Sequence, residues 1–384
     1  MSTLSSVNLT ILGSASAQPS STRNHSALAL RLDGDVWLFD CGEATQHQIQ
    51  KSSVKIGKVQ KIFITHTHGD HIFGLLPVLA MRLNGAGGTV DVEDPRATAA
   101  PPEDVPPLEI CGPLGTRAYV RNGLTYTHTL LGAPYVVHEL RFPTDPPDGD
   151  HTSLAPHPFE QPGRNILQTA GVWPEIFQNT LVSVSAAPIL HSVPCVGYVV
   201  DELPVPGKMD PQKYLPDLKR TKTPMSAMRR LQQGESVTLS DGTVLHGPAR
   251  KPGRKIVILG DTHDPSPIAG LAEGACLLIH EATNAHLPGV DPDTKQADTY
   301  ESVEARTKSR GHSTPQMAGA FAKRLWARKL VLNHFSARYA GNDDVDDEAR
   351  KVMGAIRELA ESTYGGEVVC ARDLMSFDVG PRKE

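Results

Sequence analysis

Apolar residues fall along this chain in short blocks rich in β-branched side chains, separated by polar, Gly- and Pro-containing stretches. Leu9 to Leu12, Ala27 to Leu32 and Val36 to Phe39 read as three strands of an antiparallel opening, the last two joined at Asp33-Gly34-Asp35. Between the first two lies a polar loop, Gln18 to His25. Thr45 to Lys51 is a helical stretch. Lys61-Ile62-Phe63-Ile64 predicts a buried strand, and the run from Ile72 to Met81 a helix with proline in its first turns. Leu108 to Pro113 reads as a strand and Thr116 to Leu124 as a short helix. Farther on, strands are predicted at Thr180 to Leu190, Lys255 to Leu259, Cys276 to Ile279 and Lys329 to Leu332. Thr314 and Pro315 are a natural start for a helix over Gln316 to Ala327. Asp343 to Ser362 reads as an amphipathic helix, and Glu367 to Val379 as closing strand-like segments. Gly85 to Pro107 and Arg141 to Arg164 are rich in Gly, Pro or both and read as loop insertions, the second with solvated histidines at 151 and 157. No internal repeat and no clear linker interrupts the pattern, so residues 1–384 are expected to form one domain.

What ends these strands changes the picture. The strand at Ile64 runs into Thr65-His66-Thr67-His68-Gly69-Asp70-His71. Side chains alternate along extended chain, so His66 and His68 point the same way, and the following turn brings Asp70 and His71 round to a neighbouring point. Three imidazoles and a carboxylate at this spacing can begin two adjacent metal sites of the kind zinc favours. The other strands end at His191, at Gly260-Asp261-Thr262, at His280-Glu281-Ala282-Thr283 and at Asn333-His334. Sheet-based active sites gather at strand ends, so these side chains are expected to share one cleft. His312 sits in the loop before a helix start. Asp40 reads either as a carboxylate orienting a metal-bound histidine or as a plain turn residue.

Bulk properties narrow the class. With 384 residues, 39% hydrophobic and 21% charged, the chain is globular and not disordered. Five scattered cysteines without a C-x-x-C pair suggest a reducing compartment. The apolar start is too short and uncharged for a signal peptide, and no apolar run approaches a membrane span. An intracellular protein is expected, in cytoplasm, nucleus or mitochondrion. A net charge of −5 argues against a general nucleic-acid binder. Yet from Gly207 to Ile256 eleven basic residues face four acidic ones, a local excess of +7 that points to a polyanion-binding element over about 201–254.

Taken together, Phe39-Asp40-Cys41-Gly42-Glu43, the His66 to His71 motif, His191-Ser192-Val193-Pro194-Cys195, Gly260-Asp261-Thr262, His280-Glu281-Ala282-Thr283, His312-Ser313-Thr314 and Asn333-His334-Phe335-Ser336-Ala337-Arg338-Tyr339 resemble the tRNase Z (ribonuclease Z) family of the metallo-β-lactamase fold, in the same order. The resemblance implies an α/β protein: an αββα sandwich of two mixed sheets flanked by helices. It implies two zinc ions per chain, one on His66, His68 and His191, the other on Asp70, His71 and His334, with Asp261 bridging. Glu281 and His312 would be the proton-handling pair, with Asp70 also able to take the proton of an attacking water. Arg23 and Asn24 would meet the RNA 3′ end, and the basic segment, with Lys219, Arg220 and Lys222, would grip precursor tRNA as an arm. Arg338 is a candidate phosphate holder. Family members are often homodimers. Two departures stand out: Ser21 occupies a usual lysine position and Ala44 a usual glycine position. The function implied is zinc-dependent hydrolysis that removes 3′ trailers from precursor tRNA. The rivals are a hydrolase of this fold acting on a small ester, thioester or cyclic nucleotide, and a non-catalytic RNA-binding scaffold.

Overall fold

Period-two alternation sends one face of the opening strands into a core between two sheets and the other face under a layer of helices. Leu28, Leu30, Leu32, Trp37 and Phe39 join the inter-sheet cluster, while Ala27, Ala29, Val36 and Leu38 pack on the opposite side. The computed structural model describes residues 4–84, 104–205 and 207–381. The insertion expected at 85–107 therefore lies outside the described residues except for 104–107.

The first sheet contains β1 (Val7–Gly13), β3 (Ala27–Leu32), β4 (Asp35–Phe39), β5 (Val59–Phe63), β6 (Leu108–Pro113), β7 (Tyr135–Arg141), the short β8 (Glu160–Gln161) and β9 (Asn165–Leu167), and β20 (Ser376–Asp378) at its edge beside β1. Strands β2 (Ala15–Ser16) and β18 (Phe335–Ser336) form a small parallel pair. The second sheet runs β10 (Trp173–Gln178), β11 (Val182–Ile189), β12 (Cys195–Glu202), β15 (Lys255–Ile258), β16 (Leu277–Glu281), β17 (Lys329–Asn333) and β19 (Glu367–Cys370). The last four are parallel to one another, so their C-terminal ends share one edge. Phe39, Phe63 and Tyr198 fill the space between the sheets; Phe39 and Phe63 stack at 5.0 Å, and the buried Tyr198 hydroxyl donates across the gap to the Ile64 carbonyl at 2.7 Å.

Helices α1 (Thr45–Lys51), α2 (Gly69–Ile72), α3 (Leu75–Arg82) and α4 (Thr116–Tyr126) cover the first sheet through Ile49, Ile72, Leu75, Leu79, Val120 and Leu124. On the second sheet lie α9 (Pro315–Arg324) and α10 (Asp347–Tyr364), which bury Phe321, Met353 and Ile356. The αββα sandwich is the observed architecture. The single helix expected from Ile72 to Met81 is two. Between them Gly74 passes so close beneath the Gly42 carbonyl that a Cβ there would lie 1.9 Å from that oxygen, and its amide bonds Cys41 O at 2.8 Å.

Two inserted segments behave differently. Residues 142–164 are not a free loop. Arg117, Arg121 and Arg141, all buried, reach into them: Arg121 Nη2 meets Glu160 Oε1 at 2.7 Å and Asp150 Oδ2 at 2.8 Å, and Arg141 Nη2 meets Gly149 O at 2.8 Å. The arm between β12 and β15 has its own small core. There α5 (Leu215–Arg220), α6 (Ala227–Gln232) and the hairpin β13 (Ser236–Thr238)–β14 (Val244–His246) close around Leu218, Leu231, Val237 and Leu239. At its base Arg254 is buried and bidentate to Glu202, at 2.7 and 2.8 Å. Arg254 and Lys255 thus belong to the body. Over 207–253 the count is nine basic residues against four acidic. Among the described residues no helix is long and apolar enough to cross a membrane.

Candidate metal centre

Strands that end in a row deliver their next residues to one place. β11 is antiparallel to β12, which is antiparallel to β15, so His191 emerges beside Asp261, Glu281 and His334 from parallel strands β15 to β17. The tops of β4 and β5 face them with Asp40 and the His66 to His71 turn. Glu281 is the last residue of β16 itself, so the strand runs two residues beyond the apolar run that ends at Ile279. His334 and Asp40 both adopt left-handed backbone, φ 56° and 59°, a conformation His and Asp tolerate better than most residues and one that redirects their side chains.

Two donor sets result. His66, His68, His191 and Asp261 form one, and Asp70, His71, Asp261 and His334 the other; within each, one donor atom per residue lies within 4.8 Å of all the rest. In the first, His68 Nδ1 is 3.1 Å from His66 Nε2 and 3.2 Å from His191 Nε2, with Asp261 Oδ2 3.8 and 3.9 Å from those two Nε2 atoms. In the second, His71 Nε2 and His334 Nε2 are 3.1 Å apart, and each is 3.3 Å from Asp261 Oδ1. Asp70 Oδ2 is 3.3 Å from His334 Nε2. An ion bound tetrahedrally at about 2.0–2.1 Å holds its donors roughly 3.3–3.4 Å apart, so both sets are of the right size for zinc. Asp261 turns one oxygen to each set.

The far sides of the His71, His191 and His334 rings are held. His71 Nδ1 donates to Asp40 Oδ2 at 2.7 Å, and Asp40 also accepts from Thr65 N at 2.7 Å and Thr65 Oγ1 at 2.9 Å. Asp40 is therefore an orienting carboxylate and not a plain turn residue. His191 Nδ1 donates to Gly311 O at 2.8 Å. The Thr283 hydroxyl donates to Glu281 Oε2 at 2.6 Å and so accepts from His334 Nδ1 at 3.2 Å. With Nδ1 engaged on each ring, His71 Nε2 and His334 Nε2 face each other 3.1 Å apart in a buried space. That geometry is repulsive unless positive charge sits between them, and the donor set of imidazoles and carboxylates fits a metal ion.

Electrostatics fit the donor roles except at His71, where burial opposes the charged form but the Asp261 and Asp40 carboxylates outweigh it and raise the imidazole well above its usual range. Burial lowers His66 far below its usual range, and lowers His68 and His191 too, which keeps them in the neutral, ligating form. Burial opposes ionisation of Asp261, but His334, His71 and His66 outweigh it and hold the carboxyl well below normal. Asp70 is likewise lowered against its burial by His334 and His71. At the mouth His312 Nδ1 lies 3.0 Å from Glu281 Oε1. Burial alone would lower His312; the Glu281 carboxylate overrides it and pushes the imidazole up to about 9.

The remaining expected site residues divide. Arg23 requires a correction. Its side chain is buried, and its guanidinium bonds Tyr339 O at 2.7 Å, Ser14 Oγ at 2.7 Å and Ala371 O at 2.8 Å over the ring of Phe335. It pins the loop instead of meeting an RNA end. Asn24 is half-buried, with Nδ2 on Glu43 O at 2.8 Å. Arg338 is exposed, Nη2 on Tyr339 Oη at 2.6 Å and Nε 3.5 Å from Asp291. Lys219, Arg220 and Lys222 are exposed on the arm, but Arg220 is paired with Asp217 and Asp241. Ala44, in the position where glycine is usual, caps α1 at φ 60°, a strain of about 1 kcal/mol that glycine would avoid. Sequence reasoning did not single out Thr65 and Thr283, whose hydroxyls link carboxylates to ligand imidazoles. Nor did it find Asp373, which accepts from Ser14 Oγ at 2.7 Å and Asn24 N at 2.6 Å. The two threonines had only their place in the motifs as a signal, and Asp373 had none.

Over residues 7–85 the chain matches the family model described as Anti-Pycsar protein Apyc1. Across nearly its whole length it is 37% identical over 393 residues to the human protein named zinc phosphodiesterase ELAC protein 1, covering 98% of this chain and 100% of that one. It is 33% identical over 349 residues to a Bacillus velezensis ribonuclease Z, covering 88% and 91%. The crystal structure of the short form of human tRNase Z superposes with a TM-score of 0.61 at 30% identity, over 97% of this chain and 99% of that one. A metallo-β-lactamase-fold protein from Bacillus subtilis shares the fold at TM-score 0.53 and 16% identity.

Proposed function

The chain belongs to the tRNase Z (ribonuclease Z) family of metallo-β-lactamase-fold, metal-dependent hydrolases, and from that premise we propose that it is a zinc-dependent endoribonuclease that removes 3′ trailers from precursor tRNA by phosphodiester hydrolysis. The observation that carries this reading is the pair of donor sets sharing Asp261, directly beside the Glu281–His312 pair. We assign one zinc to His66, His68, His191 and Asp261 and a second to Asp70, His71, His334 and Asp261. Zinc held there supplies Lewis-acid chemistry, polarising a phosphodiester and making water nucleophilic near neutral pH.

The chain's own groups do the rest. Asp40, Gly311 and Thr283 fix the ligand rings through their Nδ1 atoms, so the donors keep their geometry as charge develops. Asp70 Oδ2 is held by the Ala17 amide at 2.7 Å, which leaves its other oxygen to accept a proton from the attacking water. Glu281 occupies His312 Nδ1 and favours the imidazolium. His312 Nε2 then protonates the departing 3′ oxygen as general acid. Arg338 holds a neighbouring phosphate. On the arm, Lys219 and Lys222 contact the tRNA backbone at a distance from the cut. Asn24 helps fix the loop beside the 3′ end. The active form is taken to be a homodimer, which sedimentation at micromolar concentration checks directly.

The test is incubation of the zinc-loaded protein with a 3′-extended precursor tRNA, mapping the cut relative to the discriminator base. Cleavage next to that base, leaving a 3′-hydroxyl, supports the reading. Turnover of a small ester or cyclic nucleotide without any cleavage of the precursor overturns it.

A further inference from the structure

Three large aromatic side chains are exposed among the described residues: Phe73 at 59%, Tyr126 at 72% and Trp326 at 77%. Tyr126 ends α4 and Trp326 follows α9. Phe73 alone stands within two residues of a candidate ligand, His71. It closes α2, with its amide on Gly69 O at 2.9 Å, in the turn before Gly74. Its ring lies against the backbone of the turn that carries His68 and Asp70. A methyl group added at Gly69 would sit 2.2 Å from Cε2, 2.5 Å from Cζ and 2.7 Å from Cδ2 of that ring. Glycine at 69 is thus what lets the ring settle there. Leaving so large an apolar surface in water is unfavourable, and neighbouring Ile72 and Leu75 are fully buried in the helical layer. Phe73 is the apolar side chain of this turn that the body does not cover.

We propose that Phe73 is a stacking platform for one base flanking the scissile phosphate. The inference rests on the RNA-cleaving reading above and adds a base-positioning contact to it. A phosphodiester held at the donor sets has its neighbouring nucleotides at the mouth, beside His68 and Asp70, and a ring backed by the Gly69 turn offers its outer side to one of them. Stacking on an aromatic ring needs no particular base, because every base has a π face. A trailer-removing enzyme that meets varied sequences at its cut has use for such a contact. Phosphate contacts fix the strand but not the rotation of the base, and the stacked ring would fix that rotation.

The experiment combines Phe73→Ala with abasic substitution, one position at a time, at the two nucleotides on each side of the cut. Phe73→Ala is expected to lower kcat/KM on the precursor by about 5- to 150-fold while zinc content stays as in the parent protein. At one flanking position an abasic substitution should cost the parent protein a similar factor and cost Phe73→Ala nothing more. Phe73→Trp should restore cleavage, and Phe73→Leu, which keeps apolar volume without a π face, should not. Cleavage by Phe73→Ala within about twofold of the parent protein overturns the proposal, as does rescue by leucine or losses that multiply at every abasic position. If Phe73→Ala folds poorly, the leucine and tryptophan variants carry the same comparison. Failure of the parent protein to cut any precursor defeats the RNA reading itself, a different result from a silent Phe73.

Discussion

The metal cleft and the arm are both built around charge, yet they treat it in opposite ways. In the cleft the charged and ligating groups are buried or half-buried, and several are held by a neighbour: Asp261 by three imidazoles, His71 by Asp40, His312 by Glu281. On the arm Lys213, Lys219, Lys222 and Arg229 are exposed, with no acidic partner among the described residues. A preorganised, dry site strengthens every interaction inside it and suits chemistry on one bond. Exposed cations on a separate small core suit a long, repetitive polyanion, for which phosphate contacts supply affinity without demanding fixed geometry. The difference teaches where precision is needed.

If the cleft is the chemical half, breaking its shared ligand should have the largest effect. Asp261→Ala is expected to lose more than the 10- to 100-fold typical of removing a group that only orients a ligand, with zinc falling below two per chain by elemental analysis. Full zinc with full activity would end the assignment. His312→Ala comes next, with a loss of about 10²- to 10⁴-fold on RNA and zinc retained. A phosphodiester with a good leaving group needs little protonation and should be spared most of this. Equal impairment on both substrates removes His312 from the acid role. Asp40→Asn should fall in the range of about 10- to 100-fold in metal affinity or rate, read from zinc retention under chelator challenge.

The arm should give the smallest effect, and one confined to large substrates. Replacing Lys219 and Lys222 by Gln is expected to raise KM for precursor tRNA and flatten the log–log salt dependence by about two. Turnover of a small phosphodiester should stay at the parental level. Arg220→Gln sharpens the contrast: that side chain is bound to Asp217 and Asp241, so its loss should loosen the arm's fold more than its grip. A salt slope unchanged by the lysine pair would make the arm a solvated face only.

The cleft was far more legible in the sequence than the arm, and for a physical reason. Ligand chemistry restricts residue type and spacing, so His66 to His71, His191, Asp261 and His334 announce themselves, and parallel strands do the assembling. Side-chain destination is not encoded that way. Arg23 in a polar loop looks like an RNA contact, but the cavity formed by Tyr339, Ser14 and Ala371 comes from segments more than three hundred residues away, apart from Ser14. The charge count around the arm was similarly blind to pairing: Arg254 answers Glu202 in the body, and Arg220 answers two aspartates. The helix break at Gly74 arises from the approach of Gly42, another contact no local pattern contains.

The pairing of β20 with β1 bears on how this chain comes to be folded during its synthesis. Asn8, Leu9 and Thr10 wait for Asp378, Phe377 and Ser376, and Arg23 waits for Ala371. On the ribosome, then, the first sheet stands with an open strand edge until Ser376 to Asp378 have emerged, and open edges are the places where chains pair with the wrong neighbour. A nascent chain stalled before residue 371 would already carry every donor from His66 to His334, yet its N-terminal loop would lack the contacts to Ala371 and Asp373. The last candidate ligand, His334, is thus made before the strand that closes the first sheet.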